Sequence, residues 1–280
     1  MERRLKEILA FTVLICMVLA STQTVHAANT YVVAPNGHND TANIQAALNM
    51  CTTGAPSCTV QLEKGTYYVA QITVYGFEGS FVGMGQGVTI IQALANLPPP
   101  APGYNTAASP FWAGMPGSSN PWPDLFTFVN GVLSISRMTI TDPYTNPTQG
   151  WIDSSGTSYT ALMGAILITG EQQASASIDH VTVIGASGDI YGTNMFNGIV
   201  YGGDWLPPAY NLISGTFTVT NSVFNTVETG PWAGEVDGAT ITVCYNTAIN
   251  DPGWTYAVTD LYNRQPSAGI RVQPISFPQP

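Results

Sequence analysis

Four stretches of the chain repeat one alternation of apolar and polar positions and superpose without a gap: LSISRMTITD from Leu133, ASIDHVTVIG from Ala176, FTVTNSVFNT from Phe217 and ITVCYNTAIN from Ile241. Period-two alternation marks a strand with one buried face. In each copy the alternation slips once in the middle, which predicts a strand, a bend of one or two residues and a second strand. A second pattern interleaves with the first. Its copies are GAILITG from Gly164, NGIVYGG from Asn197 and AGIRVQP from Ala268, with DLFTFVNG from Asp124 and AGEVDGAT from Ala233 as weaker ones. Two strand types per repeat, joined by Gly, Asn and Ser turns, describe one coil of a solenoid. First-type copies are offset by 43, 41 and 24 residues, so short coils carry insertions of variable size. An antiparallel sandwich would need hairpin turns between matched strands, and the Asn-Gly pairs at 36–37, 130–131 and 197–198 do not sit there. The expected fold is all-β: a single-stranded parallel β-helix, one domain over residues 28–280.

Ahead of the coils, Asn39-Asp40-Thr41 reads as a helix start, followed over 41–50 by a helix with Ile44, Ala47 and Leu48 on one apolar face. CTVQLEKGTYYVAQITVYGFEGSFVGMGQGVTIIQ then runs from Cys58 to Gln92. An Asp-Thr helix start, an IQxAL helix, a TVxLxxGTY strand pair and GxGxGVTII, in that order, resemble the opening of the pectate-lyase superfamily domain. The likeness is close over residues 33–92 and extends to the later coils by pattern. It implies a right-handed parallel β-helix whose N-terminal end is plugged by the cap helix, and a protein that acts on or binds polysaccharide.

The N-terminus changes the picture of where this happens. Arg3, Arg4 and Lys6 precede an apolar run over 8–20 that ends near Val25-His26-Ala27, the layout of a secretory leader. The expectation is a leader over 1–27, a secreted or periplasmic mature chain, and no membrane association once the leader is cleaved. Three of the seven basic and two of the seventeen acidic residues lie in that leader, leaving four against fifteen, a formal charge of −11. So acidic a chain repels phosphate backbones and argues against nucleic acid as a partner. Cys51 and Cys58 flank the short loop TTGAPS and are expected to pair, as export permits. Cys244, within an alternating strand, reads as a small buried hydrophobe.

Candidate chemistry is sparse. A Pro/Gly/Ser/Asn-rich insertion covers 93–123, and others cover 144–159 and 203–214. Trp112, Trp122, Trp151, Trp205, Trp232 and Trp254 all read as lying outside the strand repeats. Such aromatics either stack on the apolar faces of sugar rings or pin loops to the solenoid. His38 and His180 read as turn residues, and no Ser/His/Asp arrangement is evident. If Val236 takes the inward place of Ile199 and Ile270, Glu235 and Asp237 point outward together, with Arg271 one coil away. Two carboxylates beside a cation form either a catalytic or Ca²⁺-binding group or an inter-coil ion pair. No other cofactor is implied. Among the superfamily's enzymes, hydrolases carry Asn-Thr-Asp, Asp-Asp, Gly-His-Gly and Arg-Ile-Lys motifs, of which only Arg271-Val272-Gln273 has a counterpart. Mannuronan epimerases carry Asp-Pro-His-Asp where Asp142-Pro143-Tyr144-Thr145 stands. The expectations are a polysaccharide lyase or glycoside hydrolase, a non-catalytic carbohydrate-binding or adhesion solenoid, or a truncated homologue.

Overall fold

The computed structural model describes residues 29–52, 58–94, 124–143, 151–152, 158–159, 162–186, 195–202, 213–227, 229–234, 236, 238–249 and 271–273. Apart from one helix, α1 (Thr41–Asn49), and an antiparallel pair, Trp151–Ile152 with Ser158–Tyr159, they form one large parallel sheet. No described helix is long and apolar enough to cross a membrane.

The sheet divides into three ladders of stacked segments. The first holds 30–33, 58–62, 77–82, 131–136, 174–179, 216–220 and 240–244. The second holds 65–69, 89–93, 138–141, 181–184, 223–225 and 247–249. The third holds 72–75, 124–129, 162–169, 195–202, 229–234 and 271–273. From residue 58 onward the chain visits first, second and third ladder in that order, again and again. Every pairing within a ladder is parallel, a scheme compatible with a solenoid. Each repeat thus has three strand segments where the sequence suggests two types, because the slip in the first pattern separates two ladders.

The registers are those read from the sequence. Leu133 faces Ala176, Ala176 faces Phe217 and Phe217 faces Ile241. At the slip stand Arg137, His180, Asn221 and Tyr245, with φ of 61°, 52°, 50° and 57°. A left-handed residue there costs roughly 1–2 kcal/mol, and the corner offsets it with local bonds. Ser222 Oγ accepts from the Val181 N–H at 3.1 Å, and Asn246 accepts from the Ser222 N–H at 2.9 Å while donating to the Val219 carbonyl. At the corner between third and first ladders Asn130 (φ 57°) precedes Gly131 (φ 116°), where a β-carbon would collide with the Phe77 carbonyl.

Inside the ladders the core is aliphatic and aromatic. Phe126 lies 5.6 Å from Phe81 and 6.3 Å from Phe128, and Tyr201 stacks on Phe217 at 4.8 Å. Two tyrosines bury their rings and keep a partner for the hydroxyl: Tyr67 donates to the Val33 carbonyl at 2.6 Å and Tyr201 to the Ala174 carbonyl at 2.9 Å. Burial pushes both phenols up to about 12, so they remain donors.

Helix α1 packs Ile44, Ala47 and Leu48 against the core beside strand Ile72–Val82; each large side chain so buried contributes about 1.5–3 kcal/mol. The expected Asp cap takes a different form. The Asp40 carboxylate makes no cap bond and instead accepts from the N–H groups of Asn36 and Tyr68, at 2.8 and 3.1 Å. Thr41 Oγ1 accepts from the Ala70 N–H at 2.8 Å, while Asn39 Oδ1 accepts from the Thr41 N–H. The motif therefore ties the helix to the second ladder. The Cys51–Cys58 disulfide anchors the other end of α1 to strand Cys58–Leu62; closing so short a loop is worth about 2.5 kcal/mol in chain-entropy terms.

Two sequence expectations change. Cys244 is only half-buried, because its register opposite Thr220 puts it in the outward column of the first ladder. The third-ladder copy expected at Ala233 starts earlier: Ile199 faces Pro231 and Val200 faces Trp232. Its segment TGPWAG lacks the alternation that aligned the others, which misplaced it.

Candidate functional site

Burial separates the third ladder from the other two. In the first and second, buried and half-buried or exposed residues alternate, as over 174–184. In the third, 124–129, 164–169 and 197–202 are buried without a break, so those three strands are covered on both sides, while Tyr75 on the preceding strand is exposed. Its inward residues, such as Phe126, Ile166 and Ile199, belong to the main core. Its outward column runs Thr73, Thr127, Leu167, Val200, Trp232, Arg271 by register. Leu167, Val200 and Trp232 form a separate apolar cluster there.

Buried polar groups without partners gather on this ladder. Both carboxylate oxygens of Asp124 and the hydroxyls of Thr127 and Thr169 have no hydrogen-bond partner, although these residues are at most 1% exposed. A buried orphan of this kind costs about 1–3 kcal/mol, and native interiors hold few. Desolvation raises the Asp124 carboxyl well above the usual carboxylate range, so it keeps its proton where surface carboxyls lose theirs. Gly164 opposite makes room for it: a β-carbon there would stand 2.9 Å from Asp124 Oδ1 and 3.4 Å from Val200 Cγ2. The carboxyl and the apolar cluster therefore pack side by side.

Chain connectivity marks the same ladder. The long connections 94–123, 142–161, 185–194 and 250–270 all lead from the second ladder to the third, and 203–215 leaves the third for the first. Insertions on a solenoid fall on one face, often the binding face.

The sequence-predicted site residues fare unevenly. Trp232 is a strand residue, not a loop one, 6% exposed and packed with Leu167 and Val200. Trp151 lies in the short hairpin opposite Tyr159. Trp112, Trp122, Trp205 and Trp254 lie outside the described residues. Arg271 is on the third ladder opposite Trp232, and Val236 bridges Ile213. Glu235 and Asp237 lie outside the described residues, and the alignment that set them beside Arg271 does not hold. Among the described residues no three His, Cys, Asp or Glu side chains converge as a metal site. Asp124, Thr127 and Thr169 were missed. The available signal was a lone acid opening an otherwise apolar strand, DLFTFV, where an unpaired charge is expensive.

A second polar group occupies the corner of the first and second ladders. Asp179 Oδ2 is 2.7 Å from His180 Nδ1, and Oδ1 accepts from Thr220 and Asn221 at 2.8 Å each. Burial pushes this carboxyl up, but these bonds outweigh it and hold it below its ordinary value. Every partner of Asp179 sits in the same corner, as expected of a structural tie. His38 is an exposed turn residue whose N–H donates to Asn36 Oδ1.

The chain matches no protein-family model, no curated protein and no solved structure.

Proposed function

We propose that this chain is an exported, right-handed parallel β-helix protein of the pectate-lyase-like kind, and that it acts on or binds a polysaccharide. Parallel segments joined by crossovers are right-handed in about 98% of cases, which supports the hand. The N-terminal order of helix and strand motifs over 33–92 supports the superfamily. One observation carries the polysaccharide reading beside that likeness: the long connections 94–123, 142–161, 185–194 and 250–270 all enter the third ladder, and insertions on a solenoid fall on one face, often the binding face. An extended face of stacked strands suits an extended polymer.

Cleavage by elimination or hydrolysis is the first form of this reading, with Glu235, Asp237 and Arg271 on or next to the same ladder in the chain. Carbohydrate binding or adhesion without catalysis is the second. It is favoured because Asp124 is the one acidic side chain described on that ladder. The full chain, freed of its leader, is to be incubated with a polysaccharide panel with and without calcium. Absorbance of unsaturated uronates, reducing-end release and retention on affinity gels are then followed. Product formation selects the enzyme, and retention without product selects the binder. Neither product nor retention overturns the proposal. N-terminal sequencing of exported protein is expected to begin near Ala28.

A further inference from the structure

We propose that the outward face of the first ladder binds ice, through a flat array of serine and threonine hydroxyls. By register Thr30, Thr59, Ser80, Ser134, Ser177, Thr218 and Thr242 stand one above another, so every rung of the ladder offers a hydroxyl at the same place. Ser175, Thr216 and Thr240 stack beside this column, two residues earlier in their strands, and Ser136 and Thr220 stand two residues later. Surface polarity alone does not require such regularity: the later column also carries Val32, Gln61, Val82, Asp179 and Cys244. None of the seven central residues is buried, and none of their hydroxyls bonds within the described chain. The corner that borders the face is only one or two residues long after Ser136, Asp179, Thr220 and Cys244, so no insertion rises beside it there.

Successive rungs lie about 4.8 Å apart and alternate residues of a strand about 6.7 Å apart, which makes the column about 29 Å long. Both intervals are close to repeats of hexagonal ice. Each hydroxyl donates and accepts, so each can hold a lattice water, and the threonine methyls fill the gaps between waters. One such contact is weak, but many made at once by a rigid face add up. Crystalline polysaccharide suits the array less well: faces that take sugars stack aromatic rings on pyranoses, and the outward residues described on this ladder include no aromatic ring. A polyanion finds no cation there, since Glu78 and Asp179 are the charged residues among them. The inference is independent of the polysaccharide reading, which rests on the insertions at the third ladder.

Partition of the full chain, freed of its leader, into slowly grown ice tests this, together with inhibition of ice recrystallisation and pull-down on microcrystalline cellulose and chitin. Enrichment in the ice and arrested recrystallisation are expected. Thr218→Lys, which sets a long charged side chain within the array, is expected to cut the enrichment about tenfold or more in a protein that melts normally. Thr247→Lys, on the outward side of the second ladder, is expected to leave it unchanged. Should Thr218→Lys fail to fold, Ser177→Lys, at the exposed position one rung away, supplies the same comparison. No enrichment of the parent chain overturns the inference. Ice binding that survives both Thr218→Lys and Ser177→Lys overturns it too, because the face would then lie elsewhere. Retention on cellulose or chitin without ice binding, lost in Thr218→Lys, overturns it and gives the face to crystalline polysaccharide.

Discussion

The outward sides of the first and third ladders are made by the same chain in the same repeats, yet they differ in kind. On the first ladder outward residues such as Ser134, Ser177 and Thr218 are exposed or half-buried, and the acid among them, Asp179, has its bonds satisfied at the neighbouring corner. On the third ladder the outward residues Thr127, Leu167, Val200 and Trp232 are buried, and Thr127, like Asp124 and Thr169, lacks a hydrogen-bond partner. Burial of the second side, with Asp124, Thr127 and Thr169 left unmatched, is an expense the first ladder does not bear, and each such group calls for an explanation.

Four substitutions probe this contrast by chemical denaturation. Leu167→Ala, on the outer side of the third ladder, is expected to cost about 2–5 kcal/mol, as in a core. A loss below about 0.5 kcal/mol would show that side to be open. Asp124→Asn is expected to stabilise the chain at neutral pH, since it removes the ionisation that burial opposes. The pH dependence fixes the sign. Because the folded carboxyl holds its proton above the unfolded value of about 3.9, the folded state binds more protons in that window. Stability then falls as pH rises through it. The variant should lose that slope.

Asp179 should behave oppositely. Its lowered folded value means that its contribution is present above about pH 3.9 and lost as pH falls through the folded value. With 40% of the side chain exposed, Asp179→Ala is expected to cost under about 1 kcal/mol. Equal pH slopes for Asp124→Asn and Asp179→Ala would erase the distinction between the two regions. Ser177→Ala, on the exposed side of the first ladder, should change stability by less than about 0.5 kcal/mol.

The first and second ladders were legible because one face is wet: LSISRMTITD and its relatives alternate, and alternation fixes both strand and register. The third ladder was harder to read for the reason that makes it interesting. Strands buried on both sides read as nearly continuous apolar runs, as in LFTFV and AILI, and such runs say little about which residue faces which. The TGPWAG segment, with Pro231 and two glycines, carried no period at all, so Val236 was set in the place that Pro231 takes, five residues late, and Trp232 was assigned to a loop. The cap helix and the Cys51–Cys58 bond were legible from short-range spacing alone. Asp124 was visible as a letter but not as a problem, since its cost depends on burial that only the assembled ladder creates.

The pH dependence of unfolding, measured for the chain and for Asp124→Asn, tests the central claim most directly. Stability that falls in the parent chain as pH rises above about 3.9, with a flatter profile in the variant, is the predicted result. The same profile in both would contradict it.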